Sequence, residues 1–191
     1  MTMKPQMEKS LTIVGDDGIL TRQAVELATL VGYTDLQCIQ HLDSNASHLF
    51  FAIQDRHLRA ELIESVNPER LINLIHPTAV VSGTAKLMNN IMVGAQAVVG
   101  SNARVASGVI QNALSSIEHD NRIGAHTFLG TGAILCGNVS TGEFVFVGGG
   151  ATVKPGVTIG AHTTIGTGAV LIKDALDNST YVGNPARAIG R

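Results

Sequence analysis

The sequence predicts a mostly β protein: a parallel β-helix of hexapeptide repeats, preceded by a small Rossmann-like α/β domain. Two observations carry this. Aliphatic residues recur every six positions from Ile75 to Leu171, and a strand–turn–helix pattern fills the first seventy residues. Composition agrees, because 21 glycines, no tryptophan and 4% aromatic content suit tight, repetitive backbone packing better than sheets packed through large rings. At 191 residues and 45% hydrophobic content the chain can bury a core and divide into one or two domains.

The N-terminal domain is expected over residues 1–73. Residues 11–14 read as a short apolar strand and Gly15-Asp16-Asp17-Gly18 as a turn. Residues 19–31 have helical spacing, with Val25 and Ala28 on one face. Strands at 36–40 and 49–53 and a helix at 55–66 complete the unit. The free amides after Gly18 suit an anion, although two aspartates there oppose a phosphate, and a plain strand-to-helix connection is the alternative.

The second domain is expected over 74–191. Stepping by six from Ile75 to Leu171, every residue except Gln111 and Thr141 is Ile, Leu or Val. Two positions earlier sit mostly small or β-branched residues, such as Ala79, Ala97, Ser115, Thr127 and Ala151. Glycine often follows, as at Gly94, Gly124 and Gly148. Each hexad makes one short strand and a corner, and three hexads close a triangular coil, so Ile75, Val93, Gln111, Leu129, Val147 and Ile165 should stack along one inner edge. Such a stack leaves flat outer faces and open ends. Trimerisation would cover part of the faces, with the N-terminal domain and residues 173–191 capping the ends.

The formal net charge of −2 and the lack of any Lys/Arg cluster along the chain argue against nucleic acid as a partner. Residues 1–10 carry Lys4, Glu8 and Lys9, and the apolar run after them is too short for a signal peptide or a membrane span. No membrane association is expected, and the cytoplasm is the default address. Cys38 and Cys136 have neither disulfide-framework nor zinc-site spacing and read as buried small hydrophobes. His126 and His162, two coils apart on one edge, raise a zinc site of the hexapeptide-repeat carbonic anhydrase kind. A third ligand is missing, however, and solvated corner histidines are the preferred reading, so no metal is expected. His76, before Pro77, falls at the domain junction.

The hexads resemble those of bacterial hexapeptide-repeat acyltransferases, whose β-helix is left-handed, an exception to the right-handed crossover rule. The whole layout is similar to the sialic-acid O-acetyltransferases and the UDP-4-amino-sugar N-acetyltransferases of the bacillosamine and perosamine pathways. It runs from the small α/β domain through Leu74-Ile75-His76-Pro77-Thr78-Ala79, Ile117-Glu118-His119-Asp120 and Cys136-Gly137-Asn138-Val139 to Val182-Gly183-Asn184-Pro185-Ala186-Arg187. The resemblance implies an acetyl-CoA-dependent homotrimer with the co-substrate between subunits. It makes His119 the general base and Asp120 its tuner, with Glu118 as the fallback partner. A base near neutrality suits deprotonation of an attacking amine, and a carboxylate neighbour favours the imidazolium. Adjacent strand side chains diverge, so Asp120 reaches the ring only if the corner bends suitably. The resemblance also places Phe128, Gly137, Gly149 and Thr167 at the CoA site, the Gly137 amide being suited to a thioester oxyanion. It places Gly15, Asp16, Asp17, Gly18, Ile53 and Arg59 at the acceptor site.

Four departures stand out. The Gly-x-x-Gly-His-Gly turn becomes Gly15-Asp16-Asp17-Gly18-Ile19-Leu20, the acidic residues after the second strand are replaced around Gln40-His41, Ala-Ile-Gly becomes Ala52-Ile53-Gln54, and Phe128 stands where relatives have a histidine. The expected reaction is N-acetylation of a nucleotide-linked 4-amino sugar. The alternatives are O-acetylation of a sialic-acid-type sugar and a non-catalytic hexapeptide-repeat binding subunit.

Overall fold

The computed structural model describes residues 10–16, 18–40 and 46–190, so Asp17 and His41 lie outside the described residues. The chain divides into two compact units, Met1–Leu74 and Ile75–Arg191.

In the first unit, β1 (Ser10–Gly15) is the centre of a three-stranded parallel sheet. It is flanked by β2 (Asp35–Ile39) on one side and β3 (Leu49–Ala52) on the other. Its apolar residues Leu11, Ile13 and Val14 are buried, as are Leu49, Phe50 and Phe51 of β3. Helix α1 (Ile19–Leu30) buries Leu20, Ala24, Leu27 and Ala28, the stripe expected of a helix lying on a sheet. Helix α2 (Arg56–Glu64) starts at Asp55, whose carboxylate accepts from the amides of His57 and Leu58 at 2.9 and 3.1 Å.

The second unit is a left-handed parallel β-helix of about six turns. Its first face stacks Leu74–Ile75, Met92–Val93, Ile110–Gln111, Phe128–Leu129, Phe146–Val147 and Thr164–Ile165. The second face runs from Val80–Val81 to Val170–Leu171, and the third from Lys86–Leu87 to Thr158–Ile159. Parallel pairing joins residues eighteen positions apart, as in Ile117↔Leu135 and Leu129↔Val147, so the inner stack anticipated from the six-residue period forms as expected. Val93, Ile117, Leu129, Leu135, Val147, Val153 and Ile165 lie in one core cluster at 0–1% exposure. Burial of this aliphatic column is the main stabilising contribution.

Successive corners carry a left-handed residue at a fixed position, including Asn102, Asp120, Asn138, His126, Phe144 and His162, all with φ between +54° and +62°. Asparagine and aspartate tolerate this region best among non-glycine residues. The two exceptions to the aliphatic rule are polar residues put to use inside the prism. Gln111 Nε2 donates to the carbonyls of Val98 and Ser115, and Thr141 Oγ1 accepts from the amide of Gly124 in place of a strand carbonyl. Asn121 does the same at a position that elsewhere holds mostly small or β-branched residues, donating to Leu135 O at 3.0 Å and accepting from Val139 N at 2.6 Å.

At the C-terminus Thr180–Val182 and Arg187–Ile189 form an antiparallel pair that extends the first face. Arg191 lies outside the described residues. The cysteine expectation fails for Cys38, which is exposed because β2 is an edge strand with one neighbour; Cys136 is half-buried at a corner. Among the described residues no helix is long and apolar enough to cross a membrane.

Candidate active site

His119 and Asp120 sit at the corner joining the second face to the third, between Ser116–Ile117 and Arg122–Ile123. Asp120 takes the left-handed conformation of that corner, φ +60°. The bend cancels the divergence expected of neighbouring strand residues, and His119 Nδ1 meets Asp120 Oδ2 at 2.8 Å. An ionised carboxylate only accepts, so it holds the ring proton on Nδ1 and leaves the Nε2 lone pair free. Asn102, one coil earlier in the same column, donates Nδ2–H to Asp120 Oδ1 at 3.2 Å, and its own amide is fixed by Thr84 Oγ1 at 3.0 Å. These bonds, that from His119 first and that from Asn102 second, hold the Asp120 carboxyl below its ordinary range. The fallback carboxylate, Glu118, is engaged with the Ser116 hydroxyl instead.

Gly137 lies one coil after His119 and is buried directly under the imidazole. A Cβ there would run into Cε1 and Nε2 of the ring, so only glycine seats the ring flat against the coil. Gly149 and Thr167 stack on a different edge, between the first and second faces, where Gly149 O accepts from Gly168 N at 2.9 Å. Phe128 faces outward from the first face and stacks on Phe146 with ring centroids 5.1 Å apart and planes 2° apart. One protomer therefore brings His119, Asp120 and Gly137 together and leaves Gly149, Thr167 and Phe128 elsewhere on the prism.

The N-terminal candidates fall into two groups. Asp16 Oδ1 accepts from the Gly18 amide at 2.8 Å, so a protein carboxylate already occupies the donor that would greet an anion at the start of α1. Gly15 allows the close approach of Thr21, whose hydroxyl donates to Ala52 O at 3.0 Å. Arg59 is buried at 3% exposure, its guanidinium Nη1 donates to Ile53 O, and burial pulls its pKa down to about 10. Ile53 and Arg59 are thus brought together, while the buried Arg59 Nε has no hydrogen-bond partner among the described residues. A cavity of about 430 Å³ opens beside Asp16, Thr21, Arg22, Val25, Glu26 and Cys38.

The two histidines proposed to stack across coils are separated by a ring that sequence reading overlooked. Phe144 lies between them, with centroids 4.9 Å from His126 and 5.1 Å from His162. His126 is buried at 4% rather than solvated. His76 Nδ1 accepts from the Thr78 amide at 3.1 Å. Sequence reading also missed the third face, where Lys86, Arg104 and Arg122 are in register beside Asp120 and Asn102 along a groove of about 570 Å³. The signal was their eighteen-residue spacing, invisible to a search for contiguous charge.

Residues 138–173 match the family described as bacterial transferase hexapeptide (six repeats). The chain is similar over 95% of its length, and 98% of the other chain, to PerB from Caulobacter crescentus, solved with CoA and GDP-perosamine, at 32% identity and a TM-score of 0.86. It is similar over 94% of its length, and 99% of the other, to the acetyltransferase domain of PglB from Neisseria gonorrhoeae, at 27% identity and a TM-score of 0.87. Serine acetyltransferase 3, mitochondrial, from Arabidopsis thaliana is 35% identical over 142 residues, 72% of this chain, and the chain spans 32% of that relative's length.

Proposed function

We propose, for a chain that belongs to the hexapeptide-repeat sugar acetyltransferases, that it transfers acetyl from acetyl-CoA to the amino group of a nucleotide-linked 4-amino sugar. The observation that carries the reading is the oriented pair at the corner: His119 with its proton held on Nδ1 by Asp120 and its ring seated on Gly137.

In this reading His119 Nε2 takes a proton from the acceptor amine as the nitrogen attacks the thioester carbonyl. The tetrahedral intermediate collapses with cleavage of the carbon–sulfur bond, and the imidazolium returns the proton to the departing thiolate. Products are the N-acetylated sugar and free CoA, with no covalent enzyme intermediate. Asp120 stabilises the transient imidazolium. The first role of Gly137 is steric, because the ring covers it. Phe128, stacked on Phe146, offers a flat apolar surface to the co-substrate, with Gly149 and Thr167 marking a narrow corner for its pantetheine arm. Gly15, Gly18 and Ile53 serve as the frame of the N-terminal unit, since their neighbours already engage them, and Arg59 braces Ile53 through Nη1.

The reading includes a cytoplasmic homotrimer. Support comes from the second face, where Val80 and Ile134 are 64% and 38% exposed on a surface bordered by His119. A further copy of the chain laid on that face would bury the apolar row and close the exposed base.

The test is thiol release from acetyl-CoA against nucleotide-linked 4-amino sugars and free sialic acids. Turnover confined to the amino sugars is expected; turnover only with hydroxyl acceptors would sink the N-acetylation reading.

A further inference from the structure

The third face of the β-helix carries an arrangement that folding alone disfavours. Lys86, Arg104 and Arg122 occupy outward positions on consecutive strands and pair directly, Lys86↔Arg104 and Arg104↔Arg122. Neighbouring strands lie about 4.8 Å apart, and like charges placed opposite one another destabilise a sheet. All three are exposed, and among the described residues none is ion-paired. The one carboxylate on the groove they line, Asp120, is held by His119 and Asn102. An unneutralised column of three cations next to the catalytic corner calls for an anion from outside.

We infer that this ladder holds the diphosphate of the nucleotide-linked acceptor, which would present its sugar to His119; the inference rests on the reaction proposed above. Three observations favour this occupant. The donor best placed to take a phosphate in the N-terminal unit, the Gly18 amide, is filled by the Asp16 carboxylate, and no cation stands in that turn. Two guanidiniums in register match the paired oxygens of a diphosphate bidentately. Of the candidate CoA positions, Phe128, Gly149 and Thr167 lie on another face or edge away from the ladder, and Gly137, under His119, is the one beside it. A matching β-helix of a second copy is a poor occupant, because residues 75–191 hold five carboxylate side chains and Glu118 and Asp120 among them are already engaged.

The experiment is calorimetric titration of the full chain with inorganic pyrophosphate, UDP, GDP and CoA, comparing wild type with Arg104→Gln/Arg122→Gln. Losing two charge-assisted bonds should weaken pyrophosphate and nucleoside diphosphate at least about a hundred-fold and leave CoA unaffected. Arg104→Lys/Arg122→Lys, which keeps the charge, should recover most of the affinity, and thermal melts of both variants report their folding. Three results overturn the inference: unchanged nucleotide affinity with CoA weakened, which assigns the ladder to CoA phosphates; unchanged nucleotide affinity with a smaller assembly in light scattering, which assigns it to an interface between copies; and no diphosphate binding by the wild type. Because binding is read without turnover, absence of acetyl transfer to every amino sugar would remove the proposed reaction and leave this measurement standing.

Discussion

At the scale of single residues the proposed chemistry depends on one left-handed dihedral angle. Asp120 at φ +60° turns its carboxylate back onto His119, which adjacency in sequence alone does not provide. The carboxyl is held below its ordinary value by His119 and then Asn102. A depressed carboxyl contributes to stability above its unfolded pKa and loses that contribution as pH falls through the folded value, so the pair is intact at neutral pH and fails only in acid, below the ordinary carboxylate range. Asn102→Ala removes the second donor. Carbon-13 NMR titration of the Asp120 carboxyl should then show its pKa moving up toward the ordinary range, and an unchanged titration would show that Asn102 does not hold it. The motif residues His119 and Asp120 were legible in the sequence. Asn102 was not, because its partnership runs across a whole coil, and neither was Phe144, whose ring parts the two histidines.

At the scale of elements the six-residue period set strands, corners and inward positions, and the structure departs from it only in what those positions do. A period tells which side chains face the prism. It does not tell which backbone amide a corner leaves without a turn partner. At Ala133 and Ala151 the amide closes its own corner onto Gly130 and Gly148, whereas Val139 N is satisfied by the side chain of Asn121. The repeat pattern treats Asn121→Ala as a return to consensus. The structure instead leaves a buried amide unpaired, and urea unfolding should show a loss of about 1–3 kcal/mol. An alanine variant as stable as wild type would mean that the corner closes without the asparagine. The N-terminal elements were legible to within a residue or two because their apolar runs and glycine turn are strong signals, while the exposure of Cys38 was not, since edge position is a property of sheet order.

At the scale of the whole molecule, a formal charge of −2 conceals an uneven division. Residues 1–74 carry ten Asp/Glu against six Lys/Arg, and residues 75–191 carry five against seven. Net charge and contiguous charge runs therefore gave no sign of the basic ladder on the third face. The exposed apolar row on the second face predicts self-association: light scattering should give three times the chain's 20.0 kDa, and Val80→Asp/Ile134→Asp should shift it to the single-chain mass. A wild-type monomer would remove the trimer from the reading. The measurement that bears most directly on the proposed reaction is thiol release from acetyl-CoA by wild type and His119→Ala with the best amino-sugar acceptor. A fall in kcat of about 10²–10⁴-fold, with the KM for acetyl-CoA little changed, is expected for the loss of a general base; a variant that keeps wild-type kcat would show that the base lies elsewhere.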